Sequence, residues 1–187
     1  TFVQREKLRQ QWQNGLKKAR LKATAWHHHQ KALRIQEAKR LAEATWRAIP
    51  ANNPAILDLA LAMLYLGEGF KKSDNTSMGN SDPLILRFFI TLLRKNYHVP
   101  LDQIKCALHL RADQAPQAMK QFWSRALGIP EKNFQAPSID KRTEGSPTYP
   151  HYKGVCVVSC GHVAIQRKLT HLATLFCKKI TKIDLGT

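Results

Sequence analysis

Leu61-Ala62-Met63-Leu64-Tyr65-Leu66-Gly67-Glu68-Gly69 runs an apolar helix into a glycine, an acid and a second glycine. A carboxylate at a helix C-terminus faces the negative end of the macrodipole, which is an unfavourable place for it. Glu68 therefore calls for a positive neighbour, either a basic side chain or a metal ion. Gly67 carries no side chain, so another backbone can approach the last turn closely. These features point to two helices packed side by side, each bringing an acid to the end of the seam. A salt bridge from Glu68 to a nearby Lys or Arg is the plainer alternative.

The flanking sequence sets this segment in a mixed architecture. Ile49-Pro50-Ala51-Asn52-Asn53-Pro54 is a break and a domain boundary. A helix is predicted over 55–67, then an irregular or strand segment over 70–79. In Asn80-Ser81-Asp82-Pro83, Asp82 caps a new helix and Pro83 suits its first position. That helix presents Leu84, Ile85, Phe88, Phe89, Leu92 and Leu93 as a broad core-facing surface. Residues 104–111 alternate: Ile104, Cys106, Leu108 and Leu110 face one way, and Lys105, Ala107, His109 and Arg111 the other. A helix over 115–127 buries Met119, Phe122 and Trp123. A polar, proline-bearing loop runs over 130–153, a second strand over 155–160, and a last helix over 162–180 with Ile165, Leu169, Leu172, Leu175 and Phe176. The fold class is α+β.

The nine residues from Leu61 to Gly69 resemble the LAGLIDADG motif of homing endonucleases. Leu61, Ala62, Leu64 and Gly69 match outright, Gly67 takes the small-residue place, and Glu68 stands where the family has its metal-binding acid. Met63 replaces a glycine of the helix interface, and Leu66 replaces an aspartate that is not the principal metal ligand. The order of helices and strands is also similar, with residues 115–127 as an insertion relative to compact members. Gly67-Glu68-Gly69, Asn80-Ser81-Asp82-Pro83 and Phe122-Trp123-Ser124 resemble bacterial LAGLIDADG-like DNA-binding proteins.

The resemblance implies a core over 54–180 with a curved β-sheet saddle and packed helices. It implies a homodimer whose motif helices meet through Leu61, Ala62, Tyr65 and Gly67. Mg²⁺ or Mn²⁺ would be held by Glu68 with Gly67, for hydrolysis of double-stranded or branched DNA. Lys105 and His109 join Glu68 as catalytic candidates. Lys71, Lys72, Lys105, His109, Arg111, Lys141, Arg142 and Lys153 are the candidate nucleic-acid contacts. A DNA-binding regulator that does not cut and an RNA-binding maturase-like protein remain open alternatives on the same scaffold.

Composition supports the polyanion partner independently. Thirty Lys and Arg against thirteen Asp and Glu give a formal charge of +17, which concentrates phosphate around the protein. Residues 1–49 hold twelve Lys/Arg and three Asp/Glu, a net of +9, and contain no proline. They read as one long basic helix or two, roughly 70 Å end to end if continuous. Val3, Leu8, Trp12, Leu16, Ala19, Ala23 and Trp26 form a narrow apolar stripe along it, too little for it to fold alone. It is expected to lie on the core, on a second copy or on nucleic acid. His27, His28 and His29 point in different directions on a helix, so they cannot share one metal.

No segment is long and apolar enough for a membrane span, and the charged N-terminal stretch has no signal-peptide pattern. Cys106, Cys156, Cys160 and Cys177 show no secreted-type disulfide framework, which fits a cytoplasmic, DNA-associated protein. Cys156, Cys160 and His162 match no common zinc spacing, and small buried residues are the plainer reading. The 130–153 loop interleaves Lys132, Lys141, Arg142 and Lys153 with Phe134, Tyr149 and Tyr152. It suits either a phosphate-tracking, base-stacking loop or a disordered connector. Residues 181–187 read as a C-terminal tail.

Overall fold

A computed structural model describes residues 2–184. Its contacts divide the chain into two compact units, Thr1–Pro50 and Ala51–Thr187. The first is a single helix, α1 (Phe2–Ala48), unbroken because nothing before Pro50 interrupts it. It buries no residue, and Leu8, Trp12 and Trp26 of the apolar stripe remain more than half exposed. Its Arg40–Glu37 ion pair at 2.7 Å is a solvated pair one turn apart and contributes little. His27, His28 and His29 are exposed.

The second unit contains α2 (Pro54–Glu68), β1 (Thr76–Asn80), α3 (Pro83–Tyr97), β2 (Lys105–Arg111), α4 (Pro116–Leu127), β3 (Ser138–Asp140), β4 (Val155–Cys160) and α5 (Val163–Asp184). Three of its helices start at a proline, whose missing N–H is an orphan there in any case. Asn53 caps α2 by accepting from the Ala55 N–H at 2.9 Å, and Asp82 caps α3 through the Leu84 N–H at 2.8 Å. The helix expected to end at residue 180 continues, so residues 181–184 are helical rather than tail. Residues 185–187 lie outside the described residues.

The strands form a four-stranded sheet in the order β1-β4-β2-β3. β4 runs antiparallel to both β1 and β2, while β3 runs parallel to β2. A parallel pair needs a long crossover, and α4 supplies it. The segment 115–127 is thus an integral connection of the sheet. β3 was not expected, because three residues are too few to show a period.

One sheet face and the helices enclose the core. Ile104, Cys106, Leu108 and Leu110 are buried as their alternation requires, as are Cys156, Val158 and Cys160 of β4. On α4 Trp123 is fully buried, with Met119 and Phe122 packed partly against the core. On α3 the buried set is Leu86, Phe89, Ile90, Leu92 and Leu93, whereas Leu84 is 72% and Phe88 38% exposed. That helix is apolar on most sides, so its sequence could not fix the rotation. On α5 Ile165, Leu169 and Ala173 are buried, Leu172 is half-buried, and Leu175 is 53% exposed.

α2 is held from its inner side. Leu61, Ala62 and Tyr65 are completely buried within the chain itself. They therefore cannot form a dimer interface, and that expectation is corrected. The Tyr65 hydroxyl donates to the Phe70 carbonyl at 3.0 Å and accepts from the Ser77 N–H at 3.4 Å. Its ring lies against Gly69, where a Cβ would come within 2.6 Å of three ring carbons. Gly69 is the glycine the single chain requires, while a Cβ on Gly67 would meet nothing within 4 Å.

Asp58 of α2 accepts from Lys168 Nζ of α5 at 2.6 Å and from Asn96 Nδ2 of α3 at 3.0 Å, tying three helices together. Burial opposes its ionisation, but the hydrogen bonds, Lys168 foremost, prevail and hold its carboxyl below the usual range. A depressed folded-state value stabilises the fold above the unfolded pKa, about 3.9, and this is lost as pH falls through the folded value. Asp58→Asn should therefore flatten the acid limb of a urea-midpoint profile taken downward from about pH 5. In thermal melts at neutral pH, Gly69→Ala should lose about 1–3 kcal/mol through overlap with Tyr65, while Gly67→Ala should lose nothing.

Candidate nucleic-acid interface

The face of the sheet opposite the core carries the side chains that alternate outward. Lys105 pairs across with Ser159, which pairs with Ser77; Ala107 pairs with Val157, which pairs with Gly79; His109 pairs with Val155. Lys105 and His109 are exposed, and neither has an acidic partner among the described residues. Val155, Val157 and Ser159 beside them are half-buried, whereas at the β1 edge Ser77 is 3% exposed and the Phe70 ring lies over Gly79. Lys71 and Lys72 are exposed in the turn before β1, at one edge of the sheet. Lys141 and Arg142 occupy a short 3₁₀ turn just after β3, at the other edge.

The expected cations are not equally free. Arg142 makes two hydrogen bonds at 2.9 Å to the two Asp140 oxygens, and that guanidinium holds the Asp140 carboxyl below its usual range. Lys153 Nζ donates to the Pro150 carbonyl at 2.8 Å. Arg111 donates through Nε to Thr148 Oγ1 at 2.8 Å and through Nη2 to the Ser146 carbonyl at 2.9 Å. Thr148 in turn donates its hydroxyl and its N–H to Asp113, whose carboxyl is thereby held low.

These bonds fold the 141–153 segment down beside that face, so it is not an unordered connector. Gln114 clamps it: its Oε1 accepts from the Arg111 N–H at 3.1 Å and its Nε2 donates to the Tyr152 carbonyl at 2.9 Å. Trp123 Nε1 of α4 donates to the Lys153 carbonyl at 2.8 Å. Gly154 closes the segment with φ +76°, where a Cβ would also lie 2.6 Å from Leu110 Cδ2 and 2.8 Å from the His109 carbonyl. Between segment and sheet lies a cleft of about 620 Å³, lined by His109, Arg111, Tyr149 and Tyr152 among others.

Glu68 sits at the end of α2, exposed, and accepts from Asn80 Nδ2 at 3.3 Å. No Lys or Arg pairs with it among the described residues. Asn80 lies at the end of β1, on the helix-covered side by alternation, whereas Lys105 and His109 point from the opposite face two strands away. Adjacent strands are roughly 4.8 Å apart, so the lateral offset alone is about 10 Å. The structure therefore does not assemble Glu68, Lys105 and His109 into one constellation within a chain.

Gly67 shares the outward side of α2 with Ala60 and Met63, and all three are exposed. Ile56, Ala60, Met63 and Gly67 recur at steps of four, three and four, a stripe opposite the buried Leu61, Ala62 and Tyr65. This apolar stripe is the surface of the helix that remains available for packing. Cys156 and Cys160 are buried beneath the sheet. A hydrogen bond with Cys106 together with burial pushes the Cys156 thiol up, and burial raises Cys160. His162 is instead bonded to Gln103 Oε1 at 2.6 Å, so the three do not form a zinc set.

Comparison of the chain with protein-family models, with curated proteins and with solved structures finds no match. Alternation in the sequence places Lys105, His109 and Arg111 on one strand face, whereas no local pattern marks Gln114, Thr148 or Asp113 as their partners. An isolated Gly154 just before a β-branched run was the one available signal. Gln114→Leu would strand the Tyr152 carbonyl and the Arg111 N–H. It should lower stability by about 1–3 kcal/mol and speed amide exchange through 148–154.

Proposed function

We propose that this chain is a DNA-binding protein of LAGLIDADG type, a homodimer that hydrolyses phosphodiester bonds with a divalent metal between paired Glu68 residues. The observation that carries the reading is the uncovered sheet face: Lys105, His109 and Arg111 line it, and Lys71, Lys72, Lys141 and Arg142 lie at its two edges. A helix-free basic surface on a chain of charge +17 suits a duplex backbone. Phosphate contacts position such a ligand.

The outer stripe of α2 supports the dimer. An apolar face with nothing upon it favours burial, and a second copy presents the same stripe, which is the condition for a two-fold interface. Packing there through Ala60, Met63 and Gly67 would bring two Glu68 carboxylates to one end of the seam. Carboxylate and helix-terminal carbonyl oxygens are the hard donors that Mg²⁺ or Mn²⁺ selects, and among the described residues no Lys or Arg pairs with Glu68. The donor set fits, with Glu68 as the anionic ligand and the Gly67 carbonyl beside it. A bound divalent ion would supply Lewis acidity toward a phosphodiester oxygen. Asn80 holds Glu68 in place, and Lys105 and Arg111 neutralise the backbone while His109 helps to position it, rather than any of them moving protons at the Glu68 end.

A non-cleaving DNA-binding regulator is favoured by one observation, that among the described residues no second carboxylate joins Glu68. An RNA-binding role uses the same surface without further support. Incubation with duplex, nicked and branched DNA in Mg²⁺, Mn²⁺ or EDTA separates these readings. Glu68→Gln should abolish cutting while keeping or raising DNA affinity, since it removes a negative charge facing phosphate. Binding without any cutting would leave the regulator standing.

Light scattering should give a dimer, and Gly67→Leu or Met63→Asp should convert it to monomer without lowering the melting temperature of the monomer. A wild-type monomer, both free and on DNA, would end the dimer reading. Affinity should fall steeply with salt, because phosphate contacts release counterions. Residues 51–187 alone should show a smaller salt slope than the full chain; an unchanged slope would mean that α1 serves assembly.

A further inference from the structure

We infer that the cleft between β2 and the 141–153 segment binds one unpaired nucleotide of a DNA strand lying on the sheet. The inference rests on the proposed DNA-binding reading and adds a specificity site to it. The cleft is built rather than incidental: the Gln114 clamp, the Arg111–Thr148–Asp113 chain and the Trp123 bond to Lys153 hold its wall in place without a ligand. At about 620 Å³ it falls in the size range of small-ligand sites.

Its chemistry matches the three parts of a nucleotide. The Tyr149 phenol, 75% exposed, lies nearly parallel to the His151 ring at 6.0 Å and 20°, so the rim offers an aromatic platform. Tyr152 lines the same space, and bases stack on such rings whatever their identity. Asp140 and Thr143 also line the space, but the Thr143 hydroxyl is spent on the Asp140 carbonyl and the Ala112 N–H, and the Asp140 oxygens on Arg142, so the ring faces rather than these groups would hold a base. Arg111 spends Nε and Nη2 on the wall but keeps further N–H groups, and it brings positive charge to the cleft, where a phosphate would lie. The nearest carboxylate, Asp140, is already neutralised by Arg142, which removes the main repulsion. A base within an intact duplex has its faces stacked and its pairing edge occupied, so it cannot use these groups. An unpaired one can.

The test compares a duplex carrying one central unpaired nucleotide with the fully paired duplex, by fluorescence anisotropy in EDTA, alongside deoxyadenosine monophosphate followed by NMR. The bulged duplex should bind at least about tenfold tighter, the scale that aromatic stacking supplies. The monophosphate should shift resonances of 109–111 and 143–155. Tyr149→Ala should bring the ratio of affinities near one, and Tyr149→Phe should restore it; the exposure of Tyr149 makes both compatible with folding. Equal binding of the two duplexes with no monophosphate shifts overturns the cleft while leaving DNA binding intact. Monophosphate shifts in the cleft without binding of either duplex support the nucleotide site and overturn the DNA-binding reading. A preference that survives Tyr149→Ala overturns the stacking platform.

Discussion

The Tyr65 ring lies against Gly69 with no room for a Cβ between them, while its hydroxyl bridges the Phe70 carbonyl and the Ser77 N–H. This contact decides where α2 stops and how the chain re-enters the sheet. The Phe70 N–H donates to the Ser77 carbonyl and Gly69 bridges to Met78, so the register of β1 is set within a few residues of the helix end. β1 then orders β4, and β4 orders β2, through paired backbones. A slip of one residue would turn Thr76 and Met78 out of the core, which burial of that face does not tolerate. Glu68 owes its place beside Asn80 to the same junction.

The sheet has two unlike faces. On one, Cys106, Leu108, Leu110, Val158 and their neighbours are sealed under helices, and the Cys106–Cys156 pair behaves as small packed side chains rather than as reactive thiols. On the other, lysine, histidine and arginine share the surface with valine, serine and glycine. Covering such a face with a helix would bury unpaired cations, at a free-energy cost that nothing on the face would offset. Exposure of the basic face is therefore a consequence of its composition. The 141–153 segment lies beside it only because Arg111, Asp113 and Gln114 provide hydrogen bonds of suitable geometry.

α2 differs from the other helices of its unit. α3, α4 and α5 each turn charged residues toward water, whereas the outward stripe of α2 is Ile56, Ala60, Met63 and Gly67. Small side chains there present a shallow surface that another helix can approach closely. In our reading, the acid at the end of this stripe and the basic face of the sheet serve one bound polyanion from different sides.

The sequence by itself determined the long basic helix, the break at Pro50, the Asp82 cap and the alternation that sends Lys105, His109 and Arg111 outward. Each is a local matter of dihedral preference, capping or period, and each is written in residues close to one another. It also marked Leu61–Gly69 as unusual, yet it could not say which side of that helix faces inward. Leu61, Ala62 and Tyr65 are as apolar as Ala60 and Met63, and only packing against α3, α5 and β1 sorted them. Tertiary structure likewise decided that Gly69 rather than Gly67 is the sterically required glycine, and that α4 carries the chain across to a three-residue parallel strand. It also decided that Gln114 and Thr148 build a cleft with a strand that precedes them. The cleft depends on atoms brought together from residues thirty or more apart, and no local period encodes it.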